Sequence, residues 1–124
     1  MDILLLVAFI VELVFGIGFL IVPGPMLDPF GVILNATATT FARLFGSSLI
    51  SISLILWFVR RSDQSLLKSG VIYSLFAYYL ISTVLLLLTE FAGLMNALGW
   101  IVICIHLTLL IWFGYFVIKK RTRE

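Results

Sequence analysis

The segment Ile3–Val22, ILLLVAFIVELVFGIGFLIV, decides the fold. A helix needs roughly 20 mostly apolar residues to cross a bilayer core. This run meets that length and then stops at Pro23-Gly24-Pro25. One charge, Glu12, sits near its middle. A carboxylate at a helix centre costs roughly 3 kcal/mol on the insertion scale, while each central Leu, Ile, Val or Phe contributes about −0.3 to −0.6 kcal/mol. The segment holds sixteen such residues, so insertion wins. It reads as a transmembrane helix, and Glu12 is expected to face protein rather than lipid.

The whole chain agrees with that reading. Of its 124 residues, 63% are hydrophobic and 11% charged, with a mean hydropathy of +1.25. Soluble domains are about half apolar and a quarter charged, so this chain needs lipid to cover its surface. Asp2 stands where a signal peptide carries Lys or Arg, and the first run ends in VPGP rather than a small-residue cleavage site, so it is expected to be retained. The ending KKRTRE has no prenylation cysteine. Cys104 is the only cysteine, which excludes an intrachain disulfide and a CxxC redox pair.

Three further apolar windows follow, so the expected spans are 3–22, 38–59, 70–89 and 96–118. The expected fold is all-α: a single domain over 1–124, an integral membrane four-helix bundle packed up-down-up-down. Arg60, Arg61, Lys68, Lys119, Lys120, Arg121 and Arg123 lie between spans two and three or in the tail. Those places share one side, and the positive-inside bias makes both termini cytoplasmic. The short RRSDQSLLK link makes spans two and three antiparallel neighbours. The longer PGPMLDPFGVILNAT link, with three prolines, is expected to be irregular and interfacial. Its Asn35-Ala36-Thr37 matches a glycosylation sequon on the outer side.

Three ionisable residues stand within the spans: Glu12, Arg43 and His106. A rise of about 1.5 Å per residue puts Glu12 and His106 each about 15 Å below the outer surface and Arg43 about 8 Å below it. Each lies on a face of polar or small residues. Glu12 lies between Ala8 and Gly16; Arg43 shares a stripe with Thr40, Ser47 and Ser51; the third span offers Ser74, Tyr78 and Ser82, with Tyr79 beside them; and His106 lines up with Gly99 and Gly114. Small residues around a polar group let another helix approach. The expectation is a polar layer of Glu12, Arg43, Tyr78 and His106, supported by Ser47, Tyr79 and Ser82. One reading makes it a binding pocket or proton relay. The other, favoured, makes it a structural layer held by a Glu12–Arg43 pair, because a buried charge needs a partner.

Other features fit anchoring. Trp57, Trp100, Trp112 and Tyr115 lie near span ends, as in aromatic belts. Lys119, Lys120, Arg121 and Arg123 suit contact with anionic lipid, although a stop-transfer anchor suffices to explain them and is the favoured reading. No HExxH, GxSxG, Walker loop or Cys/His cluster is present. No metal, cofactor or nucleic-acid partner is expected.

The Pro/Gly break after the first span and ARLFGSSLISISLILW (42–57), with Arg43-Leu44-Phe45-Gly46, resemble small bacterial four-helix membrane proteins of unknown function, DoxX-like in general plan. The resemblance implies a compact bundle in the cytoplasmic membrane and carries no activity. It suggests an accessory role beside a redox complex.

Function is therefore expected to be non-enzymatic: an accessory or scaffold protein making helix contacts with itself or another membrane protein. The alternative is a binder or carrier of an apolar or amphiphilic molecule or lipid at the Glu12 layer. A membrane-embedded enzyme, assembling Glu12, His106 and a tyrosine across helices, is the third reading.

Overall fold

In the computed structural model, which describes residues 1–122 apart from the side chain of Arg121, every regular element is helical. Five α-helices run in chain order: α1 (Asp2–Ile21), α2 (Pro23–Leu27), α3 (Ala36–Arg60), α4 (Ser65–Phe91) and α5 (Gly99–Arg121), with a 3-10 turn at Asp28–Phe30 after α2. Four of them, α1, α3, α4 and α5, are long and apolar enough to cross a membrane. They run about 30–40 Å against a hydrocarbon core of about 30 Å. Large apolar side chains such as Ile3, Val14, Phe58, Leu88 and Ile111 are exposed along them, a surface suited to lipid rather than water.

Local chemistry sets the helix ends. Val22 leaves the helical region (φ −131°, ψ 59°) because a following proline disfavours it, and Pro23 and Pro25 then sit in the first turn of α2, where their missing N–H groups cost nothing. The link expected to be irregular is thus largely helical. Asn35 caps α3, its Oδ1 accepting from the Ala38 N–H at 2.8 Å. Gly93, at φ 71°, closes α4: its N–H donates to the Glu90 carbonyl at 3.0 Å and Leu94 N–H to the Thr89 carbonyl at 3.1 Å. That pattern is a Schellman motif, which needs a left-handed residue that glycine adopts without strain. Before α5, Asn96 Oδ1 accepts from Leu98 N–H at 3.0 Å.

The four long helices overlap the four apolar windows, with shifted ends. α4 exceeds the 70–89 window at both ends because a first turn carrying Ser65, Lys68 and Ser69 and a last turn carrying Glu90 extend the helix, and α5 starts at Gly99 rather than Asn96. Hydropathy marks the part of a helix suited to lipid, not the polar turns that extend it.

Two compact units divide the chain, Asp2–Arg60 and the segment from Arg61 onward. In the first, α1 packs on α3. Phe9 meets Trp57, with ring centroids 5.1 Å apart, and Phe19 meets Phe45 at 5.5 Å. Residue numbers rise along one helix as they fall along the other, so the pair is antiparallel. In the second, α4 and α5 are antiparallel by the same test: Tyr79 stacks on Phe113 at 5.5 Å, and Phe91 meets Trp100 at 5.8 Å.

Candidate functional site

The first unit is organised by two glycines. A Cβ on Gly46 would stand 2.6 Å from the Leu20 nitrogen and 2.7 Å from the Gly16 carbonyl oxygen; one on Gly16 would lie 3.0 Å from the Gly46 carbonyl oxygen. Backbone therefore meets backbone, as small residues permit where apolar solvent supplies little drive for association. Buried positions on α1 are Leu4, Leu5, Ala8, Glu12 and Gly16, and on α3 Gly46, Leu49, Ser53, Leu56 and Val59. The α1 stripe is the one expected around Glu12, which is only 3% exposed. Ser53, fully buried, faces the same level of the seam across α3, and its hydroxyl donates to the Ile50 carbonyl at 2.7 Å.

Arg43 lies elsewhere. It is exposed, as are Thr40, Ser47 and Ser51. Relative to the glycine crossing, Glu12 is four residues towards the start of α1 and Arg43 three residues towards the start of α3. In an antiparallel pair these offsets add, separating the two by about 10 Å along the axes. The structure thus buries the carboxylate and turns the guanidinium outward. The stripe expected to point inward points outward with it. Its hydroxyls are satisfied locally: Ser47 and Ser48 donate to the Leu44 carbonyl at 2.8 and 3.0 Å, and Ser51 to the Ser47 carbonyl at 3.1 Å. Such back-bonding satisfies the hydroxyls without a partner helix.

In the second unit Tyr79 holds the centre. It is fully buried, stacked on Phe113 and edge-on to His106, 5.7 Å away, and to Tyr78, 5.1 Å away. Thr83, also buried, donates to the Tyr79 carbonyl at 2.6 Å. His106 Nδ1 lies 3.0 Å from the Val102 carbonyl. A carbonyl can only accept, so Nδ1 carries the proton, and the neutral form of the ring would present Nε2 as an acceptor. Tyr78, Tyr79 and His106 are thus brought together, with Tyr79 rather than Tyr78 as the hub. Tyr78 and Ser82 are half-buried.

One ionisable group escaped the sequence reading. Glu90 Oε2 is buried without a hydrogen-bond partner among the described residues, and a Cβ on Gly99 would collide with it. The carboxylate, on the last turn of α4, rests against the Cα at the start of α5. That placement suits the positive end of a helix dipole and a weak Cα–H···O contact. No spacing rule links Glu90 to Gly99; only the Schellman turn brings them together.

At the other end of this hairpin, Lys120 donates to the Ser69 hydroxyl and, at 3.5 Å, to the Ser65 carbonyl, which ties α5 to the start of α4. Lys119 lies over the Tyr115 ring at 5.5 Å. Arg60 covers Trp57 at the same distance in the first unit. The Arg121 side chain and Arg123, also expected to contact lipid, lie outside the described residues. Among the described residues no three His, Cys, Asp or Glu side chains gather as metal ligands.

Comparison with known proteins finds no matching family model, no matching curated protein and no matching solved structure.

Proposed function

We propose that this is a four-span protein of the cytoplasmic membrane, an up-down-up-down bundle with both termini cytoplasmic. It acts without catalysis as an accessory or scaffold, through helix contacts within the membrane. One observation carries the reading: α3, a span, turns Arg43 with Thr40, Ser47 and Ser51 outward. A charged residue in a span is costly against lipid and usually faces protein, so this face is the contact surface. The burial of Glu12 beside the Gly16–Gly46 crossing supports a packing role for it over a ligand-binding one. The concentration of seven basic residues in the 60–68 link and the C-terminal tail of the sequence supports cytoplasmic termini.

The test is the size of the native assembly. Ser47→Leu with Ser51→Leu should keep the helix content and thermal midpoint of the purified chain, yet shift the protein in mildly solubilised membranes from an assembly to the single chain. A wild-type protein that already migrates as a single chain would refute the reading.

A further inference from the structure

The chain has three methionines, and the two internal ones both lie in links between long helices, each against a glycine of a neighbouring helix. Met26, on α2, covers Gly18 of α1: a Cβ on Gly18 would stand 2.6 Å from its Sδ, 2.7 Å from its Cε and 3.0 Å from its Cγ. The thioether thus lies flat on bare backbone, a fit that suits an unbranched, polarisable side chain. Met95 covers Gly99, and its nearest atoms there are Cβ and Cε, each 3.1 Å from the position of a Cβ. Both side chains are half-buried, so neither is sealed in the core.

The two links differ in what else holds them. The one between α4 and α5 is closed by backbone bonds, Gly93 N–H to the Glu90 carbonyl and Leu94 N–H to the Thr89 carbonyl. α2 follows Val22, where the chain leaves the helical region. Its Met26 N–H donates to the Val22 carbonyl at 3.1 Å, a bond within the link, and it meets α1 through the Met26 side chain.

Two-electron oxidation would undo that seat. Hydrogen peroxide transfers one oxygen to the sulfur: the O–O bond breaks, an S–O bond forms, the thioether is oxidised to a sulfoxide and the peroxide is reduced to water. The new oxygen is a strong acceptor, and α1 offers it no donor, because the N–H groups at the level of Gly18 are engaged in intrahelical bonds. A buried acceptor without a donor is costly, whereas a half-buried side chain can turn outward to water. We infer that Met26 is an oxidation site, and that its conversion to the sulfoxide by a peroxide releases α2 from α1. That the link meets oxidants arriving from outside the cell rests on the four-span orientation proposed above; the release itself does not.

The experiment treats the full chain in detergent micelles with hydrogen peroxide. Peptide mass spectrometry follows each methionine, and hydrogen exchange follows the backbone amides. Formation of Met26 sulfoxide should speed exchange across residues 22–32 about tenfold and leave α4 and α5 unchanged. Oxidation of Met95 should leave its own link protected. Met26→Leu should keep residues 22–32 protected with or without peroxide, and Met26→Gln, polar at a similar length, should open them without it. The inference is overturned if Met26 sulfoxide forms with exchange unchanged, if the Met26→Leu protein opens under peroxide as the wild type does, if Met26 resists peroxide while Met95 is oxidised, or if exchange rises throughout the chain. An anionic, membrane-impermeant chloramine applied to intact cells tests the side separately. Met26 untouched there, with the micelle result as expected, overturns the outer placement and leaves the release standing.

Discussion

Gly16 on α1 and Gly46 on α3 meet backbone to backbone, so tightly that a Cβ on Gly46 would stand 2.7 Å from the Gly16 carbonyl oxygen. Neither peptide can yield without moving its helix. Gly46→Ala is therefore expected to destabilise the protein by about 1–3 kcal/mol, the usual cost of overpacking. Gly16→Ala should cost less, because its nearest neighbour at 2.9 Å is the Ile50 side chain. Gly70, on α4 with nothing within 4 Å of a Cβ, should accept Ala with a gain of up to about 1 kcal/mol from helix propensity. Denaturant unfolding in detergent checks the order Gly46, Gly16, Gly70.

The same crossing separates Glu12 from Arg43. Glu12→Gln and Arg43→Gln should therefore act independently, the double variant matching the sum of the singles within about 0.5 kcal/mol. A coupling well above that in a double-mutant cycle would restore the ion pair.

Glu90 and Gly99 should behave in the opposite way. Gly99→Ala pushes a methyl group into the space of Glu90 Oε2 and is expected to lower the thermal midpoint of the protein. Glu90→Ala vacates that space, so the penalty should largely vanish in the double variant. If Gly99→Ala is equally damaging in both backgrounds, the contact does not govern the α4–α5 hairpin.

His106 supplies a spectroscopic check. Its bond to the Val102 carbonyl requires the Nδ1–H tautomer in the neutral ring. Nitrogen chemical shifts of selectively labelled histidine should show a protonated Nδ1 and a bare Nε2; the reverse assignment would contradict the placement of the ring.

Much of this architecture is legible in the sequence. Four apolar windows survive as four long helices because hydropathy over twenty residues is a sum that one Glu12 cannot reverse. The Ala8–Glu12–Gly16 stripe is legible too, since small residues flank the charge at helical spacing. The outward turn of Arg43 is not. Gly46 and Ser47 are adjacent, about 100° apart around the helix, and both offer a small residue to a neighbour. Only the fit of Gly46 against Gly16 decides between the two faces. Tyr79 overtakes Tyr78 for a similar reason: adjacent tyrosines share one composition signal, and the stacking on Phe113 selects one of them. Glu90 leaves no trace in the sequence because its surroundings are made by a turn.

The division of α3 into a packing face and a docking face is the core of the account. Leucine placed in turn at Arg43, Gly46, Ser47, Ser51 and Ser53 tests it, with thermal stability of the purified chain and native assembly size measured for each variant. Gly46 and Ser53 should lose stability. Arg43, Ser47 and Ser51 should keep stability and lose assembly. Loss of stability at the outward positions, or assembly unchanged by all three, would contradict it.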